Sequence, residues 1–252
     1  MIAIAPLEAA QSRSVLGRTN PLVKLGLAAL WLVGFVVTPR VGPPLALAVA
    51  ALVAALILGR VPPVAVLRGL APLWTAAIGI AFFTALFSAA NADPAARVVV
   101  ALGALRITDG AVADGFLLGA RVVAIAAVSV AFARSTSPTA LVDALVQQAR
   151  LSDRFAYGAL AAYQAVPRLS LDLAALREAR RLRGLRGDWH PRLLVALLVL
   201  AVRHAERLGL AMDARGFGRG PRSHFRPRAW GPLDLVVGLG GAVLLGAVLA
   251  LA

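Results

Sequence analysis

The chain has 252 residues, of which 60% are hydrophobic and 15% are charged, and its formal net charge is +14. This composition is that of a polytopic membrane protein. The absence of cysteine from the sequence excludes disulfides, thiolate metal ligands and cysteine nucleophiles. The positive charge does not indicate nucleic-acid binding, because the basic region is rich in Leu and Ala and has few aromatic residues on which bases could stack.

Five apolar stretches have roughly the length of a membrane-spanning helix, which needs about 20 residues to cross a hydrocarbon core of ~30 Å. The predicted spans lie near 22–39, 44–59, 70–90 and 115–132, and a last one lies within 231–252. The second is the shortest. The segment 91–114 is expected to be an external loop, in which three Asp outnumber two Arg. The predicted architecture is therefore an all-α polytopic membrane protein.

Basic residues fall on one side of these spans. Arg13, Arg18 and Lys24 lie before or near the start of the first span, Arg60 and Arg68 lie between the second and the third, and 17 Arg against seven acidic residues lie between positions 134 and 228. The positive-inside rule then places the N-terminus in the cytoplasm and the C-terminus outside the cell membrane. The chain divides into an N-terminal membrane domain (1–134), a cytoplasmic region (135–230) and a C-terminal transmembrane helix (231–252).

The cytoplasmic region is predicted to form three helices. The first starts at Pro138 and continues weakly to Tyr163, and the second begins near Pro167 and stops at Gly184. The third runs from Pro191 to Gly216. Its first half is apolar but only ten residues long, so we expect this half to lean on the membrane domain and the charged half to emerge into the cytosol. A sixth span is the alternative, and it would place the C-terminus inside.

Two of these helices end in the same way, with Leu182-Arg183-Gly184 and with Ala214-Arg215-Gly216. A basic residue in the last turn followed by a left-handed glycine is an ordinary helix cap. The second ending also has small neighbours, which would let a partner approach while the guanidinium pairs with a carboxylate. That combination favours a docking tip. Arg186 in Leu185-Arg186-Gly187 is an alternative first tip.

The sequence offers little evidence for metal binding, nucleotide binding or catalysis. His190, His204 and His224 are far apart and lack carboxylate companions, so no metal site is expected. The sequence has no Gly-x-x-x-x-Gly-Lys-Ser/Thr loop to hold nucleotide phosphates. We expect neither a catalytic residue nor a directly bound cofactor.

Three strings of this sequence carry a resemblance to a known family. Residues 178–185, EARRLRGL, and residues 211–218, AMDARGFG, resemble the two Arg motifs of the transmembrane T component of energy-coupling factor (ECF) transporters, the EcfT/CbiQ/BioN-like family. Residues 19–25, TNPLVKL, are similar to the start of that family's first membrane helix. The order of spans, cytoplasmic region and final span is also similar, so the resemblance covers nearly the whole chain.

The resemblance implies a non-catalytic subunit of an importer of vitamins or transition-metal ions. In that family two ABC-type ATPase subunits use ATP, a membrane S component binds the substrate, and the T component couples them. The ATPase-docking residues implied here are Arg183, Gly184, Ala214, Arg215 and Gly216, with Arg186 as the alternate tip. The expected contact with the S component is the apolar stretch that includes Leu193, Leu194, Leu197 and Leu198.

Two other functions remain open from the sequence. One is an integral membrane enzyme acting on lipid-linked substrates, which would need a cluster of acidic, His or Ser residues at the membrane interface. The other is a self-contained permease, which would need ionisable residues deep within several spans. The sequence offers little of either. It does not reveal the transported substrate, or whether the module is shared among several S components.

Overall fold

A computed structural model describes residues 14–38, 40–93, 96–102, 105–185, 187, 189–218, 220 and 226–250. Over these residues the protein is almost entirely helical, which confirms the predicted all-α class. The described chain forms two compact units, one from Met1–Leu141 and Ala229–Ala252 and the other from Val142–Arg228.

The first unit contains the apolar helices. Its elements are α1 (Val15–Arg18), α2 (Pro21–Val37), α3 (Gly42–Ile57), α4 (Pro63–Phe87), a 3-10 turn (Ala89–Ala92), β1 (Val98–Leu102), β2 (Leu105–Thr108), α5 (Asp109–Ser135) and α9 (Pro232–Ala250). Among the described residues, Pro63–Ala92, Asp109–Ser135 and Pro232–Ala250 are long and apolar enough to cross a membrane. Helices α2 and α3 are apolar but shorter, with 17 and 16 residues, or about 25 Å of helix each. The protein is thus a multi-pass membrane protein.

Local sequence explains where α2 begins. The side chain of Asn20 accepts a hydrogen bond from the Leu22 N–H, and Pro21 occupies the first helical position, where its missing N–H costs nothing. The buried carboxylate of Asp234, in the first turn of α9, accepts a hydrogen bond of 2.6 Å from the backbone N–H of Asn20. The first and last apolar helices are therefore tied together at their N-terminal ends.

The most extensive helix packing in this unit is between α4 and α5, and small residues allow their backbones to approach closely. A Cβ added at Gly115 would collide with the carbonyl oxygen of Ala81, and one added at Gly119 would lie 2.9 Å from the Ala81 Cβ. Such close backbone approach is how membrane helices gain packing energy without a hydrophobic effect between them. α5 also packs against α2 and α3, so it is the central helix of the unit.

The segment 91–114, predicted as an external loop, contains a β-hairpin and the start of α5. β1 and β2 pair as an antiparallel hairpin, with Leu102 opposite Leu105. Thr108 then caps α5 by accepting a hydrogen bond from the Ala111 N–H. As a result α5 begins six residues before the predicted span at 115. Likewise α4 begins at Pro63, before the predicted start at 70, because Pro62-Pro63 suits a helix start better than a helix interior.

The second unit contains most of α6 (Pro138–Gln147), together with α7 (Asp153–Leu182) and α8 (Pro191–Ala214). Helices α7 and α8 pack against each other. The third predicted helix is continuous, and α8 is not among the helices long and apolar enough to span a membrane within the described chain.

The predicted boundary between the first and second cytoplasmic helices was wrong. The first helix ends at Gln147 and not near Tyr163, because Arg150 adopts a left-handed φ of 55° that a helix cannot contain. The second helix begins at Asp153 and runs through Pro167 instead of starting there. Pro167 is exposed, so water can bond to the carbonyl oxygen that the missing N–H would otherwise bind.

Candidate functional site

The first Arg-Gly ending closes α7. Arg183 is the C-cap, with φ −84° and ψ 10°, and Gly184 follows in the left-handed region at φ 73°. The Gly184 N–H donates to the Arg181 carbonyl at 2.9 Å, and the Leu185 N–H donates to the Arg180 carbonyl at 3.3 Å. These two bonds form a Schellman motif, which satisfies the last carbonyl groups of the helix.

The second ending closes α8 in the same geometry. Arg215 is the C-cap, with φ −88° and ψ 8°, and Gly216 has φ 67°. The Gly216 N–H donates to the Asp213 carbonyl and the Phe217 N–H to the Met212 carbonyl, both at 2.9 Å. The glycines are therefore required by the backbone itself. The arginines are not, because any L-residue can adopt their angles.

We call these two endings the arginine tips, comprising residues 182–184 and 214–216. Arg183, Gly184, Ala214 and Arg215 are exposed, and Leu182 is 89% exposed. An exposed planar guanidinium at a helix end can form two parallel hydrogen bonds with a carboxylate. The geometry thus suits a partner that offers an acidic pocket with an apolar edge.

The alternate first tip, Arg186, lies outside the described residues. Its neighbour Gly187 is also left-handed, at φ 91°. The helix itself ends at Leu182, so the C-cap position belongs to Arg183. This geometry favours Arg183 as the counterpart of Arg215.

Sequence reasoning missed an anchor next to the second tip. The Arg154 guanidinium, in the first turn of α7, donates a hydrogen bond of 3.0 Å to the carbonyl oxygen of Gly218. Gly218 has φ 75°, and a Cβ at this position would collide with the Arg154 side chain. The chain leaving the second tip is thereby held against the start of the helix that carries the first tip. Arg154 and Gly218 are 64 positions apart, so no local sequence pattern predicted this hydrogen bond.

A second anchor holds the chain before α9. The Gln147 side chain accepts a hydrogen bond from the Arg228 N–H at 2.7 Å and donates one to the Arg226 carbonyl at 3.0 Å. The Gln148 side chain donates to the Arg228 carbonyl at 3.2 Å. The side-chain amides of Gln147 and Gln148 thus bond to backbone groups of Arg226 and Arg228, so the end of α6 fixes the segment that follows the second tip.

Helices α6 and α7 are joined by a polar contact inside the second unit. The Tyr157 hydroxyl donates a hydrogen bond of 2.9 Å to the buried carboxylate of Asp143. Burial raises the pKa of Tyr157 to about 12, with smaller contributions from the hydrogen bond to Asp143 and from the charges of Asp143 and Asp153. Tyr157 is therefore neutral, and a hydrogen-bond donor, at any physiological pH.

The four leucines predicted to contact an S component fall on two sides of α8. Leu193 is buried and Leu197 is half-buried, whereas Leu194 and Leu198 are 48% and 64% exposed. The exposed pair continues into an apolar stripe with Val195, Val199 and Val202. The surface that α8 offers is therefore centred on Leu194 and Leu198.

Within the described part of the chain, no group of three His, Asp or Glu side chains is placed to hold a metal ion. His224 lies outside the described residues.

Comparison with known proteins gives these features a context. The family described as CbiQ, cobalt transport protein, matches residues 12–225. A protein named energy-coupling factor transporter transmembrane protein EcfT, from Listeria innocua, is 29% identical over 205 residues, covering 74% of this chain and 75% of that protein. Its namesake from Limosilactobacillus fermentum is 28% identical over 236 residues, covering 86% of this chain and 85% of that protein.

A third relative has a different name. A putative ABC transporter ATP-binding protein from Bifidobacterium longum is 29% identical over 259 residues, covering 95% of this chain but 32% of that protein. The chain thus spans about a third of that relative's length. The family match covers most of the chain and includes both arginine tips. The chain therefore belongs to the CbiQ cobalt transport protein family.

Proposed function

We propose that this chain is the transmembrane coupling subunit of an ECF-type ABC importer. It passes the ATP-driven motion of two cytoplasmic ATPase subunits to a substrate-binding S component. The observation that carries the proposal is that two different helices end in the same exposed Arg-Gly cap. Two ATPase subunits with similar grooves would require two similar tips.

In this mechanism the two tip arginines bind the ATPase subunits. Each guanidinium pairs with a carboxylate in a groove on one ATPase subunit, and the left-handed glycine lets the chain turn away so that the groove can close around the tip. Removing one partner of a desolvated charge pair costs on the order of 3–5 kcal/mol, because the other charge stays buried and unpaired. Each tip is therefore expected to be essential.

The helices supply the stiffness. α7 has 30 residues and α8 has 24, and each tip is fixed by two backbone hydrogen bonds to its own helix. The bond from Arg154 to Gly218 links the second tip to the first turn of α7. When ATP brings the ATPase grooves together, the tips follow them and the displacement travels along α7 and α8.

The displacement is received by the S component at the apolar stripe of α8, around Leu194 and Leu198, with Leu193 and Leu197 supporting it from inside. The cargo belongs to the class of vitamins or transition-metal ions. The N-terminus lies in the cytoplasm and the C-terminus outside. The chain binds no cofactor itself, since ATP is used by its partners.

The ATPase partnership is supported by the Bifidobacterium relative, because nearly the whole of this chain matches one third of a protein named for ATP binding. The sequence itself has no phosphate-binding Gly-x-x-x-x-Gly-Lys-Ser/Thr loop. In this proposal ABC-type ATPase partners supply the energy, and this chain acts without catalysis of its own.

Co-expression tests the proposal. The tagged full-length chain is produced with a pair of ABC-type ATPase subunits from its source organism and purified in detergent. The expected result is a stable complex that contains both ATPase positions and hydrolyses ATP. Recovery of the chain without ATPase, at protein concentrations of micromolar or above, would contradict the coupling function.

A further inference from the structure

The first unit contains a cavity to which the proposed coupling function gives no role. Its volume is about 330 Å³, it is partly open to the surface, and helices α2, α3, α5 and α9 form its walls. Its lining is almost wholly apolar. Within the described wall, polar side-chain atoms come from Lys24, Ser135 and Trp31, and the Trp31 indole N–H is already bonded to the Gly241 carbonyl.

The lining residues follow the helices over about two turns. α2 lines the cavity with Lys24, Leu27, Ala28 and Trp31, α5 with Val128, Ala131, Phe132 and Ser135, and α9 with Val237, Gly240, Gly241 and Leu244. Each of these sets spans eight residues on one helical face, or about 10 Å at 1.5 Å per residue, and Val236 extends the α9 set by one residue. A cavity of this length lies parallel to the helices, as the acyl chains of a bilayer do.

One end of the cavity is lined by the polar side chains of Lys24 and Ser135. The buried Lys24 ammonium donates hydrogen bonds to the carbonyls of Leu16 and Ser135, at 2.9 and 2.8 Å. Arg18 lies in the same short helix as Leu16, and Arg134 directly precedes Ser135. The neighbouring carboxylate, Asp234, accepts hydrogen bonds from the Asn20 and Gly231 backbone N–H groups and is not part of the cavity wall.

The other end is apolar. Trp31, Val128 and Leu244 lie two helical turns from the polar end, and the α9 wall faces outward, with Val236 68% exposed and Leu244 37% exposed. Helix α9 is long and apolar enough to span a membrane, so its outward side is suited to contact lipid. An apolar cavity of this size stays dry and takes up hydrocarbon.

We propose that this cavity binds one acyl chain of an anionic phospholipid, whose phosphate lies at the Lys24 end. The match is one of shape and of charge: an apolar cavity about 10 Å long takes part of one acyl chain, and the Lys24 ammonium lies at the end where a head group would be. Occupation would join α9 to α2 and α5 through hydrocarbon contacts.

Two glycines on α9 provide a matched pair of variants. Gly240 lines the cavity and Gly246 does not, both are exposed, and a Cβ at either would meet nothing within 4 Å. Gly240→Leu fills the cavity, whereas Gly246→Leu places the same side chain in lipid. Both variants are made in the full-length chain with Trp74, Trp189 and Trp230 changed to Phe, which leaves Trp31 as the single tryptophan.

The measurement is quenching of Trp31 fluorescence in bilayers that contain phosphatidylglycerol with brominated acyl chains. We expect the parent and Gly246→Leu to be half-quenched at a low mole fraction of this lipid, and Gly240→Leu to need at least about tenfold more, because the displaced methylene groups supply the affinity. Brominated phosphatidylcholine should quench the parent less effectively than phosphatidylglycerol does.

Identical quenching curves for the parent and both variants would overturn the proposal, as would equal quenching by the two lipids. If Gly240→Leu does not fold, Ala54→Leu fills the same cavity from α3 and must give the same loss. Native mass spectrometry provides a second readout: a phospholipid adduct should remain on the parent and on Gly246→Leu and be absent from the variant with the filled cavity.

Discussion

Arg183 and Arg215 occupy the same position at the ends of two different helices. Their backbone angles agree within 4° in φ and 2° in ψ (−84° and 10° against −88° and 8°), and a left-handed glycine follows each. Nothing in helix capping requires both C-caps to be arginine, since many residues adopt these angles. A shared chemical task at two sites explains the repetition, and that task can be tested residue by residue.

The first prediction concerns the charge of the tips. Arg215→Glu, or Arg183→Glu, should abolish co-purification of the ATPase subunits, because a carboxylate would then face a carboxylate in the groove. The measurement is the amount of ATPase recovered with the tagged chain. Arg207→Glu is the matched control, an exposed position two turns before the second tip on the same helix. Full ATPase recovery with Arg215→Glu would remove this residue from the docking site.

The second prediction concerns the shape of the cap. Gly184→Ala places a side chain at φ 73°, where an L-residue costs about 1–2 kcal/mol, although a Cβ there has open space around it. The last turn of α7 should open, and the N–H groups of residues 184 and 185 should exchange with solvent several-fold faster. Gly209→Ala, in an exposed helix interior, should instead stabilise α8 by about 0.5–1 kcal/mol. Unchanged exchange in Gly184→Ala would contradict the Schellman cap.

The third prediction concerns the anchor beside the second tip. Arg154→Ala removes the hydrogen bond to the Gly218 carbonyl, so the chain after Arg215 should open more often. Tryptic cleavage after Arg215 in the native protein should rise several-fold, as measured by mass spectrometry. Arg168→Ala, an exposed position on the same helix, should leave the cleavage rate unchanged. Equal rates in both variants would show that the anchor does not hold the tip.

The fourth prediction concerns pH. Because the pKa of Tyr157 is raised from 10.0 to about 12, the folded state keeps the phenol proton more tightly than the unfolded state does. The stabilisation is complete below pH 10 and is lost as the pH rises from about 10 towards about 12. Tyr157→Phe leaves the buried Asp143 without this donor and should lower the free energy of unfolding by about 1–3 kcal/mol at pH 8.

Chemical denaturation of both proteins between pH 8 and pH 11.5 checks this. The difference in stability between the parent and Tyr157→Phe should shrink above pH 10. A difference that stays constant through pH 11.5 would mean that the hydroxyl does not bond to Asp143 as described.

Local chemistry explains what the sequence could predict. The apolar runs indicated the membrane helices, and the Arg-Gly endings indicated where α7 and α8 stop, because glycine at a left-handed position is a property of its own few residues. The start of α7 was predicted wrongly because only local chemistry was visible, and Pro167 is a good local helix start. In the structure α7 packs against α8 and Pro167 is exposed, so the helix continues through Pro167.

The long-range contacts could not be predicted from the sequence. The bond between Arg154 and Gly218 and the bond between Asn20 and Asp234 join residues 64 and 214 positions apart, and nothing near either residue signals its partner. The β1–β2 hairpin was missed because Val98, Val99 and Val100 form an unbroken apolar run that lacks the alternation of a half-exposed strand.

Cysteine cross-linking of the assembled transporter tests the central claim most directly, because the chain has no native cysteine. A short photoactivatable cross-linker is placed at Ala214→Cys, beside the second tip, or at Ala205→Cys, nine residues earlier on the exposed surface of α8. We predict that the Ala214→Cys chain forms a cross-linked adduct with an ATPase subunit. The adduct should be weak when the cross-linker is at Ala205→Cys, and it should be lost when Arg215→Glu is added to Ala214→Cys. An Ala214→Cys protein that co-purifies with its ATPase subunits but cross-links only to lipid or to itself would contradict the account.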